Sequence, residues 1–400
     1  MSRSRDIVMF ALPRWDGPFY STALSLSKEL SKTNRVFYID NPFTLKYTLS
    51  KFFTTAIQKR WKALFFGTNK YRLIEPENPN LINITPMIVF PVNFLPAGAL
   101  YNFFSRINDS IVRRSVRSAI RDYAIKDFIF INSYNPFFFQ SMDSVKPALK
   151  IYHCVDSISE SNYVARHGAR LEEKMIRNSD LTLTTSVRLT EYAKQFSANV
   201  YCLPNAADFS LFQTALDPST QRPPELAGVS SRVIGYIGNV DHRSDYEILT
   251  AVADAFPEWT LLFVGPTGAD FEQSGLRQRQ NVIATGSKSL KALPAYVRFI
   301  DCGIIPFKRN KLTESIYPLK LNEYLAAGKP VVTTAFSPDL TDFKDVITIA
   351  GTKKEFIASL VTEIEGDTAQ KQMARIEKAR GNTWEARVRE FWNIVDKIEK

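Results

Sequence analysis

The stretch SIYPLKLNEYLAAGKPVVTT, residues 315–334, holds a helix whose two ends are both marked. Pro318 suits the first helical turn, where a missing N–H is no loss. Tyr317, preceding a proline, is biased to an extended shape and lies outside the helix. Gly328 is a natural left-handed terminator, and Pro330 forbids continuation. Leu321, Tyr324 and Leu325 are spaced to face a core. Lys320 and Glu323 share a second face. Lys320 stands in the first turn, beside free backbone N–H groups and the positive end of the helix dipole, which together suit a phosphate. A carboxylate one turn deeper suits a sugar hydroxyl. Residues 301–306 (DCGIIP) and 331–334 (VVTT) read as buried strands on either side. A charged helix start just beyond a parallel strand is the usual ligand position in an open α/β sheet.

The run IIPFKRN…YPLKLNEYLAAGKPVV resembles the donor-site signature of GT-B glycosyltransferases. It is most similar to group 1/4-like bacterial enzymes that build surface polysaccharides from nucleotide sugars. The resemblance is strongest over residues 300–335, intermediate over 150–205 and weak over the first 130. It implies two Rossmann-like domains facing a cleft. It also implies that Lys320 meets the donor diphosphate and Glu323 the donor's ribose or sugar. Many retaining members carry two glutamates separated by seven residues. Here Ser315 holds the first place and Glu314 lies one position out of register, which favours inversion of the transferred sugar.

Working outward, residues 233–237 form a strand followed by Gly238–Asn239–Val240–Asp241–His242–Arg243 and a helix from about Ser244. A glycine turn lets backbone N–H groups approach a phosphate closely, and Arg243 could grip it bidentately. Strands at 259–264 and 282–284 follow. Gly286–Ser287–Lys288 and a helix at 293–298 resemble the region that receives the donor base. The domains divide as 1–204, a linker at 205–230 rich in Pro, Ser and Gln, 231–381, and a terminal helix at 382–400. In the resembled fold that helix crosses back to the first domain.

Residues 6–12 (DIVMFAL) and 36–40 (VFYID) frame a loop and a helix at about 21–31, the opening of a doubly wound sheet. The loop holds Arg14, Trp15, Asp16 and Gly17, similar to a loop that related enzymes keep near the acceptor; Trp15 could equally cap the domain. Further strands fall at 127–131, 149–155, 181–184 and 200–203. The piece IYHCVDSISE resembles an acceptor-side Tyr-x-Cys-x-Asp element. Asp156 then ends a strand either as a general base or as a helix N-cap. His153 alternates with Tyr152 and reads as a buried histidine.

Between Asn41 and Ile74 lie seven basic residues and no acidic one: Lys46, Lys51, Lys59, Arg60, Lys62, Lys70 and Arg72. Aromatic residues alternate with them, a pattern suited to an anionic membrane surface. A second basic helix spans about 97–124. The net charge of +10 points to anionic partners. No nucleic-acid-binding motif occurs. No apolar run reaches the length of a spanning helix, and no signal peptide is read at the N-terminus. Three scattered cysteines argue for a reducing compartment. No Asp-x-Asp is present, so no metal or other cofactor is expected, and a nucleoside-diphosphate sugar serves as co-substrate.

These features imply a cytoplasmic glycosyltransferase, peripheral on the inner face of the membrane. It would pass a sugar to a saccharide or lipid-linked acceptor. The alternatives are a nucleotide-sugar 2-epimerase of the same fold, and a non-catalytic membrane-associated assembly protein.

Overall fold

The computed structural model describes residues 5–17, 21–140, 142–160 and 162–400. The chain divides into two compact units. One comprises the residues up to Leu203 together with Val388–Lys400, the other Pro204–Arg387.

Among the described residues the first unit is built on eight strands: β1 (Asp6–Ala11), β2 (Val36–Ile39), β3 (Tyr71–Leu73), β4 (Leu81–Ile84), β5 (Phe128–Ser133), β6 (Leu149–Cys154), β7 (Leu181–Thr184) and β8 (Val200–Cys202). Their order is β3-β4-β2-β1-β5-β6-β7-β8. Only edge strand β3 runs antiparallel, against β4. The central strands are almost wholly buried, as a parallel sheet covered on both faces requires. Val8, Phe10, Phe37 and Phe130 meet Val112 and Val116 of the helix Ala99–Asp122 in one core. Sequence patterning had marked neither β3 nor β4, because each is short and lacks a clear apolar run. Phe391, Ile394 and Val395 are buried in the last helix, Trp384–Ile398. Near that end, Arg5 donates to the carboxylates of Glu399 and, at 2.8 Å, Asp127.

The second unit holds six parallel strands: β9 (Val233–Ile237), β10 (Thr260–Val264), β11 (Val282–Ala284), β12 (Cys302–Ile305), β13 (Val331–Thr334) and β14 (Thr348–Ala350). They are ordered β11-β10-β9-β12-β13-β14, so chain direction across the sheet reverses between β9 and β12. Residues 205–230 are not a bare linker. Phe212, Ala215 and Leu226 are buried in this unit's core, because their apolar side chains recur within the polar stretch.

The helix Leu319–Ala326 buries Leu321, Tyr324 and Leu325 completely. Pro318 is its N-cap rather than a first-turn residue, with ψ of 73°. Gly328 terminates it at φ +70°. Tyr324 reaches through the helix–sheet interface to β9, where its hydroxyl accepts from Ile237 N at 2.8 Å and donates to Gly235 O at 3.1 Å. Gly303 of β12 makes room, since a Cβ there would lie 2.8 Å from the Tyr324 ring. Gly303→Ala is therefore expected to destabilise the protein by about 1–3 kcal/mol, the usual cost of overpacking. A urea midpoint unchanged from the parent would show that the ring has slack.

Candidate functional site

The turn after β9 meets the start of the helix Leu319–Ala326. Lys320 donates to the Tyr236 hydroxyl at 2.7 Å, and that hydroxyl donates to Asn239 O at 3.0 Å. The ammonium also lies over the rings of Tyr236 and Phe307, at 4.2 and 4.7 Å. Gly238 has φ of +122°, and a Cβ on it would come within 3.3 Å of Lys320 Nζ. Glycine here both permits the backbone conformation and leaves space beside the ammonium. Thus Gly238, Asn239 and Lys320, far apart in sequence, share one site at the reversal point of the sheet, the expected ligand position in such folds.

Arg243 sits in the same turn, but its fork is closed on a carboxylate the sequence reading passed over. Nε and Nη2 donate to Asp241 Oδ1 and Oδ2 at 2.8 and 2.7 Å. Asp241 also accepts from Asn239 Nδ2 at 2.8 Å. Burial alone would raise the Asp241 pKa, yet Arg243 outweighs it and the net shift is downward. A bidentate Arg243–phosphate grip would have to displace this pairing. The signal was local: an acid two residues before the arginine, within a tight turn.

Lys320 and Glu323 are half-buried. Burial, aided by Arg243, lowers the Lys320 pKa to about 7, and burial raises that of Glu323 to about 7. Ser315 is buried, with its hydroxyl donating to Leu312 O at 2.6 Å. Lys288 forms an ion pair with Glu225, which also accepts from the Tyr296 hydroxyl at 2.9 Å.

In the first unit, the Arg14–Gly17 loop follows β1 and closes with Gly17 N donating to Arg14 O at 3.1 Å. Arg14 donates to Asn41 O at 3.0 Å and stacks over Phe43 at 3.6 Å. Trp15 N donates to buried Asp40 at 3.1 Å. Asp16 accepts from Arg60 at 2.6 Å and pairs with Lys59. Two basic residues expected to face a membrane therefore turn inward; Arg60 is 4% exposed. The reason is a pair of carboxylates, Asp16 and Asp40, that need cations where water is scarce. Burial still raises the Asp40 pKa to about 6, against the opposing pull of Arg60.

Asp156 follows β6, half-buried, and its Oδ1 accepts from Ser157 N at 2.9 Å. The next helix starts at Asn162, so Asp156 does not cap it. His153 is buried against Ser133 Oγ, 3.1 Å from its Nδ1, and burial lowers its pKa to about 4. Glu172 had no sequence signal, being one polar residue in a charged helix. It is 2% exposed and accepts from the Tyr152 hydroxyl at 2.7 Å and Cys154 Sγ at 3.4 Å. Burial raises its pKa to about 7, and the nearby Asp156 charge adds to the rise.

Among the described residues, no group of three or more His, Cys, Asp or Glu is placed to hold a metal ion. Nor is any helix there long and apolar enough to cross a membrane.

Residues 231–365 match the family model described as glycosyl transferases group 1. That span runs through the turn, Lys320 and Glu323. The solved sucrose-phosphate synthase of Thermosynechococcus elongatus is similar, with a TM-score of 0.69 at 14% identity, over 98% of this chain and 99% of that one. The chain has the GT-B fold. Anabaena HepE, solved in complex with UDP, is similar at TM-score 0.63 and 13% identity, over 98% of this chain and 100% of that one. TuaH of Bacillus subtilis (strain 168), assigned to teichuronic acid biosynthesis as a glycosyltransferase, is 34% identical over 171 residues. That match covers 41% of this chain and 42% of TuaH, so the chain spans less than half the length of this relative.

The lowered pKa of Lys320 makes a direct prediction. In a carbon-13 NMR titration of the lysine-labelled protein, one resonance should titrate near pH 7. It should vanish in Lys320→Met. Pyrophosphate should move it upward, because a nearby anion favours the charged form. A lysine at its ordinary value, indifferent to pyrophosphate, would show that Lys320 stands in water away from any anion.

Proposed function

We propose that this chain transfers a sugar from a nucleoside-diphosphate sugar to a saccharide or lipid-linked acceptor in cell-surface polysaccharide synthesis. The observation that carries this reading is Lys320 held against the Gly238 turn, inside the segment that matches group 1 glycosyl transferases. The UDP in the HepE structure and the assignment of TuaH support it. They favour transfer over epimerisation or a purely structural role.

In this reading Lys320 and the Asn239 N–H take up charge on the departing diphosphate, while Gly238, Leu319 and Leu321 keep their N–H groups on Val264 O, Tyr317 O and Pro318 O. Such fixed donors aimed at developing charge are a major source of rate enhancement. No metal is required for that task. Glu323 accepts from a donor hydroxyl and orients the sugar. Arg243 joins the diphosphate only by leaving Asp241. On the acceptor side stand Arg14, Trp15, Asp16 and Gly17. Ser315 in place of the first glutamate favours inversion, and Asp156 then deprotonates the attacking hydroxyl.

The test combines UDP calorimetry with turnover. Lys320→Ala removes a charged hydrogen bond of about 1.5–3 kcal/mol, so donor use should weaken by roughly tenfold to a hundredfold. Asp156→Asn should bind UDP normally yet lose about 10²–10⁴-fold in turnover. Activity should survive a chelator. Unchanged UDP affinity in Lys320→Ala, or activity restored only by magnesium or manganese, would overturn the corresponding assignment.

The protein is further proposed to rest on the inner face of the membrane. Phe53 and Phe66 are 92% and 66% exposed, and Lys46, Lys51 and Lys62 remain on the surface beside them. Each such cation contributes about 1 kcal/mol near anionic lipid. Sedimentation with anionic vesicles should fall with salt and be absent with neutral ones; equal binding to both would remove the electrostatic docking.

A further inference from the structure

The first unit contains a groove of about 690 Å3, a size typical of small-molecule sites. Leu12, Pro42 and Phe138 bring to it the chain just beyond β1, β2 and β5. It therefore opens at the carboxyl edge of the sheet, the same edge as the Arg14–Gly17 loop. Its other walls are Tyr47, Val89 and Phe94, with Tyr101 from the helix Ala99–Asp122.

Several polar groups in these walls are already engaged, although the buried Ser105 hydroxyl has no hydrogen-bond partner. Asn108 accepts from Phe90 N at 2.8 Å and donates to Phe90 O at 2.9 Å. Asn41 Oδ1 accepts from Asn135 at 3.1 Å. A sugar ring needs a partner for most of its hydroxyls and finds few here. A hydrocarbon chain needs only apolar contact. Around the mouth, Tyr47, Phe90 and Phe94 remain 44%, 40% and 66% exposed. Among the described residues the lining contains no acidic side chain, and its two cations are Lys46 and Arg166. Both are exposed, and Arg166 is anchored at the mouth by a 2.9 Å bond to Phe94 O. Two cations beside an apolar slot complement an anionic headgroup on an apolar chain.

We infer that this groove seats the hydrocarbon chain of a phosphate-headed lipid acceptor, with Lys46 and Arg166 facing the phosphate. This rests on the transferase reading and narrows its acceptor to the lipid-linked class. It also goes beyond surface docking, since one chain leaves the bilayer and enters the protein.

The probes are alkyl monophosphates of six, eight and ten carbons, monomeric in water, titrated calorimetrically against the full chain. Affinity should rise by up to about fourfold per methylene until the groove is full. Ser105→Trp should block the groove. Phe94→Ser lies at an exposed position and cannot disturb the core, so it keeps the test decisive if the first variant fails to fold. Each should weaken decyl phosphate about tenfold while UDP affinity stays unchanged. Lys46→Gln should weaken decyl phosphate but not uncharged decyl maltoside. Affinity independent of chain length, or unaltered by Phe94→Ser, overturns the proposal. So does saturable binding of an apolar helical peptide with none of the alkyl phosphates, which would assign the groove to a protein partner. Failure of the transferase reading is separately visible, as absence of UDP binding by a parent protein that still takes up the chain.

Discussion

The phenol of Tyr324 is the constraint on which the second unit depends. Strands β9 and β12 share only the register pairs Cys302↔Ile234 and Gly303↔Gly235. Beyond them, the Tyr324 hydroxyl satisfies Ile237 N and Gly235 O, backbone groups that would otherwise be buried without partners. One side chain thus lets the two strands part and pins the helix Leu319–Ala326 against the gap. Lys320 and Glu323 ride on that helix, so their position relative to the Gly238 turn is fixed by a buried contact rather than by a surface loop.

Desolvation then sets the character of the charged groups. Lys320 and Glu323 are both drawn toward pKa values of about 7, where either can change protonation when an anionic ligand arrives. Asp241 behaves oppositely, its pKa drawn down by the paired Arg243 against the effect of burial. The first unit repeats the second arrangement with Asp16, Lys59 and Arg60. One pattern leaves a site responsive, and the other makes a loop rigid.

Much of this was legible in residues 300–335. Helix ends, the facing of Leu321, Tyr324 and Leu325, and the flanking strands all follow from local rules of capping and spacing. The Lys320–Gly238 meeting was reachable only by analogy, since no local rule links residues 82 positions apart. The pairing of Arg243 with Asp241 was not foreseen, because free and paired arginines look alike until a partner's direction is known. Lys59 and Arg60 were misread for the same reason: a basic run marks charge, and only the position of Asp16 and Asp40 decides which side chains turn inward. Glu172 was invisible because helical burial depends on what packs against that turn. Strands β3, β4 and β14 were missed because each mixes polar with apolar residues over only three or four positions.

The first unit is discontinuous along the chain, since Val388–Lys400 groups with residues up to Leu203. Domains generally begin to fold in the order in which they leave the ribosome. Here the leading domain cannot be finished when its own strands have emerged. Arg5 must wait for Glu399, which is made nearly four hundred codons later. The second unit, by contrast, is one uninterrupted segment and can close first. During synthesis the first unit therefore stays incomplete until residues 388–400 have been made, after every residue of the second unit.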